Sequence, residues 1–112
     1  YLLDAIYDRD KIDAIRSHAA IYVHAHSAGG TNPALVEAMS LGIPIFCFNN
    51  GFNNYTTQNQ ARYFNNAEEL RDMISSADTS DLQQISTEML RIAEEHYCWK
   101  NISERYLELF LK

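Results

Sequence analysis

The chain has 112 residues, 46% of them apolar, and a formal net charge of −6 at pH 7. That length suits one domain or a piece of one, with an apolar share ordinary for a globular chain. Ten of the fifteen acids follow residue 65, which argues against the basic face that nucleic-acid binding needs, and the longest apolar run, residues 43–48 with Pro44 inside it, is far too short to span a bilayer.

Tyr1-Leu2-Leu3 reads as the tail of a strand, with a turn from Asp4 to Tyr7. The absence of a leading Met or of a basic, apolar leader suggests a piece of a longer protein without a targeting segment. A helix is predicted over residues 10–18, where Ile12, Ile15 and Ala19 recur at helical spacing and Asp8 or Asp10 can cap. Residues 20–25 read as a buried strand, followed by a polar, glycine-bearing loop over 26–32. Residues 33–41 read as a helix, with Asn32 as N-cap, Pro33 at the first helical position and Gly42 just past the end. A second strand is predicted over 43–48, with Pro44 near its start. Residues 49–59 read as a loop rich in Asn, Gly and Thr, and 62–64 as a short extension. Helices over 67–75, 80–96 and 99–111 complete the chain.

Strand, helix, strand in this order implies an α/β fold with a parallel sheet and a right-handed crossover. Ligands gather at the carboxyl edge of such sheets, and the loops over 26–32 and 49–59 both emerge there. The two cysteines, Cys47 and Cys98, are too sparse for a disulfide framework. Cys47 falls in an apolar strand pattern and reads as a buried thiol, which fits the cytosol.

Glu37 is the one charged residue between Arg16 and Arg62. A carboxylate among apolar neighbours is costly unless it is hydrogen-bonded or used. Gly29-Gly30 lets the backbone approach a ligand, and the helix from Pro33 points free N–H groups and its positive end at the same place, which suits a phosphate. One turn inside that helix, Glu37 could accept protons from a ribose diol. The residue types alone equally allow a solvated helix residue.

The run GGTNPALVEAMSLGIPIFCFN resembles the nucleotide-sugar site of family 4 (group 1) glycosyltransferases, which have two Rossmann-like domains. Their pattern is an acid, a glycine-containing turn, a second acid after seven residues, then Ala-Met and a Gly-x-Pro strand entry. Glu37-Ala38-Met39 and Gly42-Ile43-Pro44 match its second half, and HYCWKNISERYLELF resembles the family's C-terminal aromatic helix. The His-Ser-x-Gly-Gly-Thr-Asn-Pro loop is most similar to a branch containing rhamnosyltransferases.

The resemblance implies that residues 1–112 are a partial C-terminal, nucleotide-sugar-binding domain, a Rossmann-like parallel sheet with flanking helices. Glu37 would hold the nucleotide ribose, and backbone N–H groups around Gly30, Thr31 and Asn32 would face the diphosphate or the sugar. Gly29 stands where the family has its first acid, a donor-sugar contact, which puts donor identity in doubt; His26 or Asn32 could substitute. The full-length protein would then be a retaining glycosyltransferase of polysaccharide biosynthesis, working without a metal or other cofactor on a nucleotide-sugar donor and a glycan or lipid-linked acceptor. It would be cytoplasmic, with peripheral membrane association available through the absent domain. The catalytic residues are not identified, and the isolated 112 residues are expected to be inactive. Two alternatives stay open: a non-catalytic nucleotide-sugar-binding or regulatory module of the same fold, and a sugar-nucleotide epimerase.

Other residues carry weaker signals. His24 and His26 alternate on a strand and point the same way, but a zinc site needs further ligands and packing is the commoner role. Ser27 lacks the Gly-x-Ser-x-Gly elbow of a hydrolase. Tyr55, Thr56 and Thr57 lie on the second ligand-edge loop, either at the donor or as turn and surface residues. Asp8, Asp10 and Asp13 read as capping and solvating a helix. Trp99, Ile102, Tyr106 and Leu109 form one apolar stripe, broadened by Leu107, Phe110 and Leu111. By resemblance the C-terminal helix, within residues 97–112, faces the absent N-terminal domain, so part of 106–111 is expected to be exposed; closure of this domain's own core is the competing reading.

Overall fold

The computed structural model describes residues 4–28, 30 and 32–111; the strand expected at Tyr1-Leu2-Leu3 lies outside them. Asp8 starts α1 (Arg9–Ser17) by accepting the Lys11 N–H at 3.2 Å, which satisfies one of the four free donors of a helix start. The first strand, β1 (Tyr22–His24), is shorter than expected.

The next helix, α2 (Pro33–Ser40), follows its local signals. Asn32 Oδ1 accepts the Ala34 N–H at 2.9 Å, Pro33 occupies the first turn, and Gly42 ends the helix at φ +70. There the Gly42 N–H donates to Met39 O at 3.0 Å and the Ile43 N–H to Ala38 O at 3.3 Å, the paired closure of a left-handed helix end. Because the Ile43 N–H is used in that closure and Pro44 has none, β2 (Ile45–Phe48) begins two residues later than the apolar run.

The stretch expected as a loop contains α3 (Gly51–Thr56). Its residues are poor helix formers, but Asn50 Oδ1 accepts the Asn53 N–H at 2.8 Å and caps the first turn. Gln58 and Asn59 then take left-handed conformations, φ 50 and φ 58, and turn the chain into β3 (Arg62–Phe64). The remaining helices are α4 (Ala67–Ser76), capped by Asn66, α5 (Thr79–His96), capped by Asp78, and α6 (Trp99–Leu111).

The three strands form one parallel sheet in the order β1-β2-β3, with Tyr22 opposite Ile45, His24 opposite Cys47, and Cys47 opposite Tyr63. The fold is mixed α/β. Its core joins Leu35 and Met39 of α2 and Ile45 of β2 to Met89 and Ile92 of α5, all fully buried. Each such side chain contributes about 1.5–3 kcal/mol relative to exposure.

Among its described residues α6 buries none. It is tied to α5 by Asn101, whose Nδ2 donates to Glu94 O at 2.9 Å and Glu95 O at 2.8 Å. Trp99 is 81% exposed and Phe110 84%, with Tyr106, Leu107, Leu109 and Leu111 also exposed, so the exposure expected over 106–111 is present. Among the described residues no helix is long and apolar enough to cross a membrane.

Candidate functional site

A parallel sheet collects the carboxyl ends of its strands on one edge. Here β1 leads to His26, β2 to Asn49 and Asn50, and β3 to Asn65 and Asn66. The first turn of α3 clamps the loop leaving β1: Asn53 Nδ2 donates to His26 O at 3.1 Å and to Phe48 O at 2.9 Å, and Asn50 Nδ2 reaches His26 O at 3.3 Å. A second set of amides runs across the edge. Asn54 Nδ2 donates to Asn49 Oδ1 at 2.9 Å, Asn49 Nδ2 to Asn65 Oδ1 at 3.1 Å, and Asn65 Nδ2 to Glu69 Oε2 at 3.0 Å. Glu69 Oε2 accepts from both the Asn65 N–H and its Nδ2, which sets the direction of every amide in the row. Asn54 Oδ1, at the far end, is buried and has no hydrogen-bond partner among the described residues.

Of the residues expected to bind a ligand, Gly29 and Thr31 lie outside the described residues. Gly30 sits in open space, where a Cβ would meet nothing within 4 Å. Asn32 is half-buried and spends its Oδ1 on the α2 cap. His26 is exposed and contributes its carbonyl to the Asn50–Asn53 clamp.

Glu37 meets two cations. Its Oε2 lies 2.5 Å from Arg16 Nη1 and its Oε1 lies 3.1 Å from Arg9 Nη2, both on α1. The hydrogen bond from Arg16 is the main cause holding its carboxyl below the usual range; burial opposes it, and the charges of Arg9 and Arg16 add to the lowering. The side chain is 32% exposed and borders a cleft of about 340 Å³ shared with Arg9, Ser40 and Trp99. Its isolation in sequence is thus an ion-pair cluster in space. Arg9 and Arg16, two helical turns apart on one face of α1, are a signal the sequence contained and sequence reasoning missed.

Tyr22 and His24 of β1 and His26 just beyond it stack in succession with ring centroids 6.0 Å apart. His24 is 5% exposed, and its Nε2 has no hydrogen-bond partner among the described residues. Burial lowers its pKa, and His26 adds to the shift. Among the described residues no group of three His, Cys, Asp or Glu is placed to hold a metal ion.

Thr56 and Thr57 correct the expectation of a ligand contact or a surface turn. Both are buried: Thr56 Oγ1 donates to Phe52 O at 2.9 Å, and Thr57 Oγ1 donates to Asn53 O at 2.8 Å and meets Tyr63 OH at 2.6 Å. Tyr55 beside them points outward. Asp8 caps α1 as expected. The Cys47 thiol is fully buried, which pushes its pKa up to about 12 and makes it an inert core group.

No protein-family model, no curated protein and no solved structure matches the chain.

Proposed function

We propose that the chain is the donor-side portion of a glycosyltransferase, with a Rossmann-like domain that binds a nucleotide-sugar and passes its sugar to a glycan or lipid-linked acceptor. The observation that carries this reading is the placement of the α2 start. The helix opens, with Asn32 as its cap, on the loop that leaves the carboxyl end of β1 in a parallel sheet. The positive end of a helix at such a strand-to-helix turn favours a diphosphate. The motif resemblance of residues 29–49 supplies the sugar-nucleotide identity of the ligand.

In this reading the backbone around Gly30, Thr31 and Asn32 faces the diphosphate, with His26 or Asn32 toward the sugar. Glu37 holds the ribose with the carboxylate lone pairs that its arginines leave free, since an ionised carboxylate offers about four acceptor sites. The chemistry assigned to the protein is positioning and stabilisation of the leaving diphosphate, with retained anomeric configuration and no metal. A cytoplasmic location, at the inner face of a membrane through a further domain, belongs to the same proposal.

The engagement of Glu37 by Arg16 and Arg9 favours a second reading, a nucleotide-sugar-binding or regulatory module in which this carboxylate staples α1 to α2. Calorimetric titration with UDP-, GDP- and dTDP-sugars tests both. Under the first reading one donor class binds, and Glu37→Gln weakens it by about 1.5–3 kcal/mol, the range for a hydrogen bond to a charged group. Unchanged donor affinity in that variant removes the ribose role, and no binding of any nucleotide-sugar removes both readings.

A further inference from the structure

A cleft of about 570 Å³ separates the end of α3 from the junction of α5 and α6, away from the α2 start. Small-molecule sites span roughly 300–1,000 Å³. Tyr97 joins its walls: from the α5–α6 junction its hydroxyl donates to Thr56 O at 2.9 Å. On the α3 side stand Asn54, Tyr55, Gln58 and Asn59; on the other stand His96 and Arg105. The turn that presents Gln58 and Asn59 holds both in left-handed backbone, fixed by the Gln58 N–H on Tyr55 O at 3.2 Å and the Asn59 N–H on Asn54 O at 3.0 Å. Consecutive side chains in that region cost energy, and such strain collects at binding and catalytic positions.

Arg105 is distinctive among the arginines. Arg9, Arg16, Arg62, Arg71 and Arg91 each lie within 3.8 Å of a carboxylate. Arg105 has no carboxylate partner among the described residues; its Nη2 approaches His96 Nδ1 at 3.5 Å. Glu95 Oε2, already held by Arg91 at 3.0 Å, lies 3.7 Å from His96 Nε2. A guanidinium only donates, so Nδ1 is the acceptor facing Arg105. A guanidinium presents five donors in a planar fork that fits an oxyanion. Tyr55, 80% exposed, offers a flat apolar face beside it, and the exposed amides of Gln58 and Asn59 offer paired donors and acceptors. Neutral amides and an aromatic face suit hydroxyl groups on a rigid ring, and a guanidinium with no carboxylate among the described residues suits one negative charge.

We infer that this cleft is a second binding site, taking a monosaccharide unit that carries one oxyanion, a phosphate or a carboxylate. Arg105 grips the oxyanion, Tyr55 stacks against the ring, and the exposed Gln58 and Asn59 reach its hydroxyls. The site is independent of the donor reading, because it shares no residue with the α2 start.

Amide NMR titration of the isotope-labelled protein with glucose monophosphate, glucuronate, glucose and inorganic phosphate tests it. At least one charged sugar should shift the signals of Tyr55, Gln58 and Asn59, and should bind at least about tenfold more tightly than glucose or inorganic phosphate, the step expected from one hydrogen-bonded charge. The charged sugar that binds identifies the oxyanion. Arg105→Gln should remove the advantage over glucose, and Tyr55→Ala should weaken all three sugars; both residues are exposed, and unchanged signals of the core residues verify the fold. The inference is overturned if neither charged sugar moves these signals at millimolar concentration, or if Arg105→Gln binds them unchanged. It is equally overturned if the shifts fall on Asn32 and Ala34 instead, which would place the ligand at the α2 start.

Discussion

Arg16 holds Glu37 across the α1–α2 contact at 2.5 Å, and Arg9 supports the other carboxylate oxygen at 3.1 Å. The folded-state pKa of Glu37 is lowered, chiefly by the Arg16 hydrogen bond. A depressed carboxylate contributes stability that is present above its unfolded pKa of roughly 4.3 and is lost as pH falls through the folded value. Glu37→Gln should therefore lower stability at neutral pH by at most about 1 kcal/mol, the scale of a partly exposed ion pair. The gap between the urea midpoints of variant and parent should close in acid. A gap that persists at low pH would mean that the carboxylate acts through packing rather than charge.

His24 produces a pH effect in a different window. Its folded-state pKa lies below the ordinary histidine value, first through burial and then through His26. The unfolded chain then takes up a proton near pH 6.5 that the folded chain resists, so stability falls as pH drops below that point and levels off below the folded pKa. Replacing His24 with Phe should flatten this part of the stability profile. Tyr22 and His26 keep their places in the stack, so the sheet should survive. Parallel profiles for parent and variant between pH 7 and 5 would rule out His24 as the source.

Gly42 tests the helix end that sets where β2 begins. Its φ of +70 is strained for any residue with a side chain, and a Cβ there would lie 2.9 Å from Leu90 Cδ1. Its carbonyl also accepts the Ser86 hydroxyl, fixing α2 against α5. Gly42→Ala should cost about 1–2 kcal/mol from the backbone conformation alone, read from the urea midpoint. Adding Leu90→Ala removes the atom that a Cβ would strike. If Gly42→Ala costs as much in the Leu90→Ala background as in the parent, the clash is absent and only backbone strain remains.

What was legible in the sequence was what is local. Asn32, Pro33 and Gly42 each act on the nearest turn of α2, so the helix could be read from them; its observed end at Ser40 differs by one residue. The α3 helix was not legible. Its residues have low helix propensity, and Asn53 is fixed by the carbonyls of His26 and Phe48, contacts that exist only once β1 and β2 are paired. Thr56 and Thr57 were misread for the same reason, since Tyr63 on β3 covers Thr57 from six residues away. The lone charge at Glu37 was visible, but its partners lay across a strand, and only folding brings Arg9 and Arg16 to it. Gly29 and Thr31, two of the expected binding residues, lie outside the described residues.

The C-terminal helix gives the sharpest contrast between two kinds of apolar residue. Ile92 on α5 is fully buried against the core, whereas Phe110 on α6 is 84% exposed, although both helices are amphipathic and α6 is the richer in apolar residues. Ile92→Ala should cost about 2–5 kcal/mol through lost burial and the cavity left behind. Phe110→Ser should change stability by no more than about 0.5 kcal/mol, as for a surface position outside any cap or network. Asn101, which anchors α6 to the last carbonyls of α5, should fall between them: Asn101→Ala should loosen α6, seen as faster amide exchange along Trp99–Leu111, while α5 keeps its protection. A large loss of stability in Phe110→Ser would mean that this side chain packs in the isolated chain, and that the exposed stripe is not available to a further domain.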